Sequence, residues 1–160
     1  MGLNALVVCL FEESEALEHL AFKLEQEQLV LLAGQPRLLA RNNAEFEEAV
    51  HSLDAISRRR EQLVTEAALD MGLGPAPTLG ALADATQDDD ERRVLEERRQ
   101  AMLGLVGQIN DLCARNREIL ARNLAATTDA LSLLGDGPSY TAMATTTAGP
   151  SRPRMLDAKA

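Results

Sequence analysis

The fold is decided by one proline-free stretch, Glu91–Leu134, which is ERRVLEERRQAMLGLVGQINDLCARNREILARNLAATTDALSLL. Its apolar residues recur at spacings of three and four, the period of one face of an α-helix. At about 1.5 Å of rise per residue, this helix is about 65 Å long. Because only one face is apolar, other long helices or a partner must cover it. The stripe consists of Leu95, Met102, Leu105, Ile109, Leu112, Asn116, Ile119, Leu120, Leu124, Leu131 and Leu134.

The composition favours an all-α fold. The chain has 160 residues, enough for one domain, and only 2% of them are aromatic. Leu and Ala supply the apolar content, as in helical bundles and coiled coils. A scarcity of β-branched residues at alternating positions argues against a β fold.

Charge and targeting features restrict the class of partner. The net charge of −9 disfavours nucleic acid, because binding phosphates requires Lys and Arg. The triplet Arg58–Arg60 is interpreted as a solvated helix face. The start of the chain lacks a secretory signal, and no apolar run is long enough to cross a bilayer. We therefore expect a cytoplasmic protein without stable membrane insertion. Cys9 and Cys113 lack metal-ligand spacing and are predicted to be small buried hydrophobes.

The first two long helices are predicted at 3–33 and 37–71. In the first, leucine recurs at every seventh position, which is typical of a helix–helix seam. Gly34-Gln35-Pro36 then interrupts the helix, because proline removes a backbone donor. Glutamates, including Glu12 and Glu13, are expected on the outside. The seam is Leu3, Leu10, Leu17, Leu24, Leu31 and Leu38; the apolar face of the second helix is Phe46, Val50, Leu53, Ile56, Leu63 and Ala67.

Capping residues place the remaining elements. Gly72 is predicted to end the second helix, and Thr78 is the predicted N-cap of a short helix at 79–85. Asp88-Asp89-Asp90 opens the long helix at 89–134, since carboxylates favour a helix N-terminus. The prediction is an elongated antiparallel three-helix bundle or coiled coil with a short fourth helix. The helical domain is expected at 1–135 and a disordered C-terminal tail at 136–160.

Catalytic chemistry is not predicted. Glu48 and His51 have the Glu-x-x-His spacing of helical metal sites, but Ala16 stands where the motif before His19 would need a glutamate. No glycine-rich phosphate loop or nucleophile set is recognisable. We therefore expect no enzyme, no cofactor, no catalytic residue and no metal ligand.

The late part of the long helix is the candidate binding region, from Asn116 to Leu134. Its apolar residues exceed what two shorter helices cover, so the surplus is interpreted as a groove for an amphipathic helix or as a homodimer surface. Asn116 and Asn123 lie one heptad apart, and asparagine inside an apolar seam fixes register and partner choice; the alternative for Asn116 is a peripheral polar residue. The predicted partner-binding residues are Asn116, Ile119, Leu120, Leu124, Leu131 and Leu134.

Two segments carry a resemblance to a known family. The first, from Leu53 to Gly72, has Arg60, Leu63 and a Met71-Gly72 end; the second is Ile109–Leu124, INDLCARNREILARNL. In the second, the matching positions are Leu112, Asn116, Ile119, Leu120 and Leu124. The pattern resembles FlgN-like flagellar export chaperones over roughly residues 3–140. These are small, acidic, helical cytoplasmic proteins that hold hook-associated (hook–filament junction) proteins ready for type III export.

The resemblance implies specific partners. The C-terminal part of the long helix and the tail would bind the C-terminal helical region of the junction proteins. Tyr140, the only tyrosine, would dock the chaperone on the cytoplasmic domain of the export gate; Thr141 follows it where the family commonly has glycine. The alternative hypothesis is a self-associating coiled-coil scaffold or adaptor protein without a secreted client, based on the heptad leucines.

Overall fold

The computed structural model describes residues 2–74 and 77–133, and this part of the chain is almost entirely helical. The helices are α1 Gly2–Ala33, α2 Pro36–Asp70, α3 Leu79–Ala85 and α4 Asp89–Leu133. No strand occurs among these residues, so the predicted all-α class is confirmed. The helix ends differ from the predicted ones by at most one residue. Leu134, Tyr140 and the predicted tail at 136–160 lie outside the described residues.

The break predicted at Gly34-Gln35-Pro36 is a tight turn between two antiparallel helices. Gly34 adopts a φ of 63°, a left-handed conformation that glycine reaches without strain. The N–H groups of Gly34 and Gln35 donate to the carbonyls of Leu31 and Val30, which satisfies the end of α1 as a Schellman motif. Pro36 then occupies the first position of α2, where its missing donor costs nothing.

The second connection uses the predicted caps. Gly72, with φ of 70°, ends α2 in another Schellman motif, in which the Leu73 N–H donates to the carbonyl of Ala68. Thr78 Oγ1 accepts a hydrogen bond from the Ala81 N–H at 3.1 Å and so caps α3. Asp88 Oδ1 accepts from the N–H groups of Asp90 and Glu91 at 2.9 and 3.0 Å and caps α4.

The three long helices alternate in direction along the chain. Glu12 pairs with Arg59 and Lys23 with Glu45, so α1 and α2 are antiparallel. Asn116 and Asn123 of α4 both donate to carbonyls 92 residues earlier in α1, those of Leu24 and Leu31. A constant separation means that α4 runs parallel to α1 and antiparallel to α2. This up-down-up order is the predicted arrangement.

The central helix of the bundle is α1. It packs against both α2 and α4, whereas α2 and α4 hardly touch each other directly. The short helix α3 packs on α4 and also contacts α2. It therefore lies between these two helices at the end of the bundle where α2 finishes and α4 begins.

The core follows the leucine seam of α1. On α2 the buried residues are small or medium in size, which lets that helix approach α1 closely. The buried face of α2 is rotated slightly from the predicted one. Of the predicted α2 residues, Leu53 and Ala67 are buried and the other four are half-buried. The largest fully buried apolar side chains are Leu6, Leu10, Leu82, Leu95 and Ile109; the buried face of α2 is Asn42, Ala49, Leu53, Val64, Ala67 and Ala68.

Two charged groups expected on the outside lie between α1 and α2 instead. Glu13 is 3% exposed, and its Oε2 lies 2.7 Å from Nε of Arg60, whose side chain is 18% exposed. Ser57 Oγ donates to the other oxygen of Glu13 at 2.7 Å. The prediction of a solvated Arg58–Arg60 face is wrong for Arg60, because partners on two different helices meet in the fold, which a single-helix pattern does not reveal.

The two cysteines are at least partly shielded from solvent, whereas Gly104 and Gly107 of α4 are exposed. Cys9 is buried and Cys113 half-buried; burial raises the pKa of both thiols, so both stay protonated at neutral pH. Gly104 and Gly107 lie within α4. No atom lies within 4 Å of a methyl group placed on either glycine, so no other helix of the described chain approaches them.

Candidate partner-binding surface

One end of the bundle carries most of the exposed leucines. This open end contains the α1–α2 turn, and it lies opposite the end that α3 covers. Its leucines come from all three long helices and therefore from parts of the chain that are far apart in sequence. They are Leu29, Leu32, Leu38, Leu120, Leu124, Leu131 and Leu133. Large exposed apolar side chains concentrated in one region indicate a binding surface.

The α4 helix extends past its neighbours at the open end. The constant separation of 92 residues places Ala33, the last residue of α1, beside Ala125. Residues 126–133 of α4 therefore lie beyond the end of α1, over about 12 Å. No other described element covers this extension.

The exposed leucines of α4 continue a face that α3 covers near the start of the helix. Arg92 donates to the carbonyl of Thr86, the C-cap of α3, at 2.6 and 3.2 Å, and the side chain of Arg99 lies against Gly80. Positions 92, 99, 106, 113 and 120 are successive heptads, so Leu120 occupies the same heptad position as these arginines. We call Leu120, Leu124 and Leu131 the α4 stripe.

Asn116 lies inside the chain rather than on the surface. It is 4% exposed, and its Nδ2 donates to the Leu24 carbonyl at 2.9 Å and to Glu27 Oε2 at 2.8 Å. Asn123 donates to the Leu31 carbonyl at 3.1 Å. The two asparagines thus connect α4 to α1 one heptad apart, which is the register role considered for Asn116. Its side chain is occupied by α1 and lies below the surface that a partner would meet.

The other predicted residues of α4 that the structure describes are half-buried or exposed. Ile119 is half-buried. In the α4 stripe, Leu120, Leu124 and Leu131 are 51%, 55% and 37% exposed. These three side chains are brought together on one face and are accessible. Leu134 and Tyr140 belong to the part of the chain that the structure does not describe.

Sequence reasoning missed the leucines that other helices contribute to the open end. Leu38 is the sixth leucine of the predicted seam, but it follows the turn and lies exposed on α2. Leu29 and Leu32, each 67% exposed, lie off the heptad positions of α1. Their signal in the sequence was apolar residues outside the seam close to a turn.

The electrostatics beside the α4 stripe are set by arginine. Arg117 precedes Leu120 by three residues and Leu124 by seven, so all three share one side of α4. Arg122 pairs with Glu118, whereas Arg117 makes no ion pair or hydrogen bond with another described residue. The surface is therefore apolar with a cationic group at its edge.

Metal or nucleophilic chemistry has no support at this surface. Within residues 2–74 and 77–133, no three His, Cys, Asp or Glu side chains are grouped in a way that would hold a metal ion. Glu48 and His51 are both exposed on α2. The surface can bind an apolar partner, and its residues offer no reactive group.

Comparison with known proteins identifies the family. The FlgN protein family matches residues 1–145, which is most of the chain. The chain belongs to the FlgN family. Membership implies a flagellar export chaperone. No curated protein and no solved structure matches the chain. None of the helices in the described FlgN chain is both long and apolar enough to span a bilayer.

Proposed function

We propose that this FlgN-family protein binds the C-terminal helical region of hook-associated proteins in the cytoplasm and delivers them to the type III export gate. The observation that carries the proposal is the α4 stripe. Its leucines continue the partly covered face of α4 that meets α3 but are left uncovered at the open end. Family membership suggests the class of partner.

The exposed area gives the size of the expected effect. Burying a leucine side chain fully is worth about 1.5–3 kcal/mol. Leu120 and Leu124 are each about half exposed, so covering them contributes about 1 kcal/mol apiece. Losing both contacts then weakens binding by about 2 kcal/mol, or about 30-fold.

The direct test measures binding by calorimetry. The full-length chain is titrated with the C-terminal segment of each hook-associated protein of the same organism. We expect micromolar or tighter binding to at least one segment. Replacement of Leu120 and Leu124 by serine should weaken that binding about 30-fold. Absence of binding to every segment at micromolar concentration would refute the proposal.

A matched control is available on α2. Leu69 is 71% exposed and lies at the opposite end of the bundle, near the C-terminus of α2. Leu69→Ser removes a similarly exposed leucine from a helix and should leave affinity unchanged. Equal helical circular dichroism in all variants separates lost contact from lost structure.

The delivery step is proposed from the family resemblance. Tyr140 would contact the cytoplasmic domain of the export gate, beyond the described residues. We expect Tyr140→Ala to retain affinity for the hook-associated segment but to reduce its secretion in cells. Equal secretion by the variant and the original protein would remove this role from Tyr140.

The alternative function is self-association without a client. It is favoured by further exposed apolar side chains on α1, among them Val8, Phe22 and Leu29. Light scattering over a range of concentrations separates the two functions. A scaffold forms a defined oligomer, whereas a monomer at high concentration argues against it.

A further inference from the structure

The short helix α3 provides an internal example of how the α4 face is covered. It contacts both α4 and α2, and these two long helices hardly touch each other directly. The α3 helix therefore lies between them. Leu79 and Leu82 are buried there, and small residues such as Gly80 and Ala83 let α3 approach closely. The α3 helix ends at Ala85, so it covers only one end of the space between α2 and α4.

We infer that the client helix lies in the same row as α3, between α4 and α2 at the open end, and completes the bundle there. This inference rests on the proposed function and adds the position of the bound helix. Its basis is continuity with the α3–α4 interface: Arg92 and Arg99, which meet α3, share their heptad line with Leu120.

The α2 side of this position is formed by a second row of apolar residues. Leu39, Phe46 and Val50 recur at spacings of seven and four and are half-buried. This row lies on the flank of α2 away from Glu45 and Arg59, which pair with α1. Leu39 is therefore the α2 residue that we expect to touch the client.

Leu39 on α2 lies at about the same height along the bundle axis as Leu120 and Leu124 on α4. Lys23 of α1 pairs with Glu45 of α2, and the neighbouring Leu24 accepts from Asn116 of α4. Moving six residues from Glu45 towards the open end reaches Leu39. The same distance along α4 passes Leu120 and approaches Leu124. A helix placed between α2 and α4 would therefore meet leucines from both sides.

The occupant is an amphipathic helix of the secreted partner with an acidic flank. Its apolar residues recur at three and four positions, as Leu79 and Leu82 do in α3. Arg117 is exposed beside the α4 stripe and has no partner within residues 2–74 and 77–133, so a carboxylate at the edge of the client stripe would complement it. An exposed pair of this kind contributes about 2- to 5-fold in affinity and is weakened by salt.

The test maps contacts by site-specific photocrosslinking in the full-length chain. A photoreactive amino acid is placed at Leu39, Leu124 or Leu29, and the probe is the hook-associated C-terminal segment that binds most tightly. We expect crosslinks to the segment from the first two positions and none from Leu29, which lies on α1. In parallel, Leu39→Ser should weaken binding about 5-fold. Arg117→Glu should weaken binding about 2- to 5-fold and reduce its dependence on salt.

The outcomes separate this inference from the proposed function. If the segment binds but crosslinks from Leu29 and not from Leu39, the client lies on another face and the inference is wrong while the function stands. Crosslinks from Leu39 to a second copy, or to residues 134–160 of the same chain, also overturn the inference. If no segment binds, the proposed function fails and the inference fails with it.

Discussion

The buried pair of Glu13 and Arg60 offers a sharp test of how α1 and α2 are held together. Glu13→Leu removes the carboxylate that lies 2.7 Å from Arg60 and accepts a hydrogen bond from Ser57. Arg60 then keeps a charge on a side chain that is only 18% exposed. Removing one partner of a buried pair typically costs about 3–5 kcal/mol.

The magnitude can be refined from the exposure. Because part of the Arg60 side chain reaches solvent, we expect Glu13→Leu to lower the free energy of unfolding by about 3 kcal/mol, the lower end of the range. Arg60→Met should cost a similar amount, since it leaves the Glu13 carboxylate buried. The double variant removes both charges, and we expect it to differ from the original by about 1 kcal/mol or less. The two effects are therefore strongly non-additive.

The neighbouring pair, Glu12 and Arg59, is the matched control. It joins the same two helices one residue away, at 2.8 Å, but both side chains are about half exposed. Glu12→Leu should cost about 0.2–1 kcal/mol. The assay is urea unfolding followed by far-ultraviolet circular dichroism. Equal costs for Glu12→Leu and Glu13→Leu, or additive effects in the Glu13 and Arg60 double variant, would refute this reasoning.

Three further predictions concern stability. Gly104→Ala should raise the free energy of unfolding by about 0.5–1 kcal/mol, because a methyl group meets no atom within 4 Å and alanine favours helix; an unchanged urea midpoint would contradict this. Leu82→Ala should cost about 2–5 kcal/mol, since Leu82 is a fully buried residue of α3, whereas the exposed Ala81→Ser should cost much less; thermal unfolding of both variants checks the contrast. Hydrogen bonds from Lys23 and then Arg41 lower the pKa of Glu45, so this carboxylate stabilises the fold above its ordinary pKa and ceases to do so as the pH falls through the lowered pKa. Glu45→Gln should therefore be less stable at neutral pH, and unfolding curves across the acid range should show the difference disappearing; a difference independent of pH would count against the assignment.

Much of the fold follows from local signals in the sequence. Gly34 and Gly72 occupy left-handed positions, and Thr78 and Asp88 cap helices, as their residue types predicted. These features depend on the physical chemistry of a few consecutive residues. Helix caps and helical period are therefore sufficient to predict these turns and helix ends.

The partners of polar residues could not be predicted in the same way. Glu13 looks like one of several outer glutamates, and only the approach of Arg60 from α2 explains its burial. Asn116 was expected in an apolar seam, but its partner carbonyl on Leu24 lies 92 residues away. Helical period shows which residues share a face of one helix, and it does not show which other helix covers that face.

For the candidate surface, the sequence indicated the α4 residues but not their surroundings. Leu120, Leu124 and Leu131 follow from period alone. That α3 covers the same face further up the helix depends on how the α2–α4 connection folds back. Leu39 belongs to the proposed site only because α2 and α4 reach the same level at the open end.

The central place of α1 has a consequence for the order in which the chain folds. The ion pair between Lys23 of α1 and Glu45 of α2 closes over 22 residues, whereas the hydrogen bond from Asn116 of α4 to Leu24 of α1 closes over 92. Loop-closure entropy makes the longer closure costlier by about 1.3 kcal/mol. Because α4 also leaves the ribosome after α1 and α2, the α1–α2 hairpin forms while one side of α1 is still bare. Every newly made molecule therefore passes through a state in which the seam later taken by Asn116 and Ile109 is exposed to other chains.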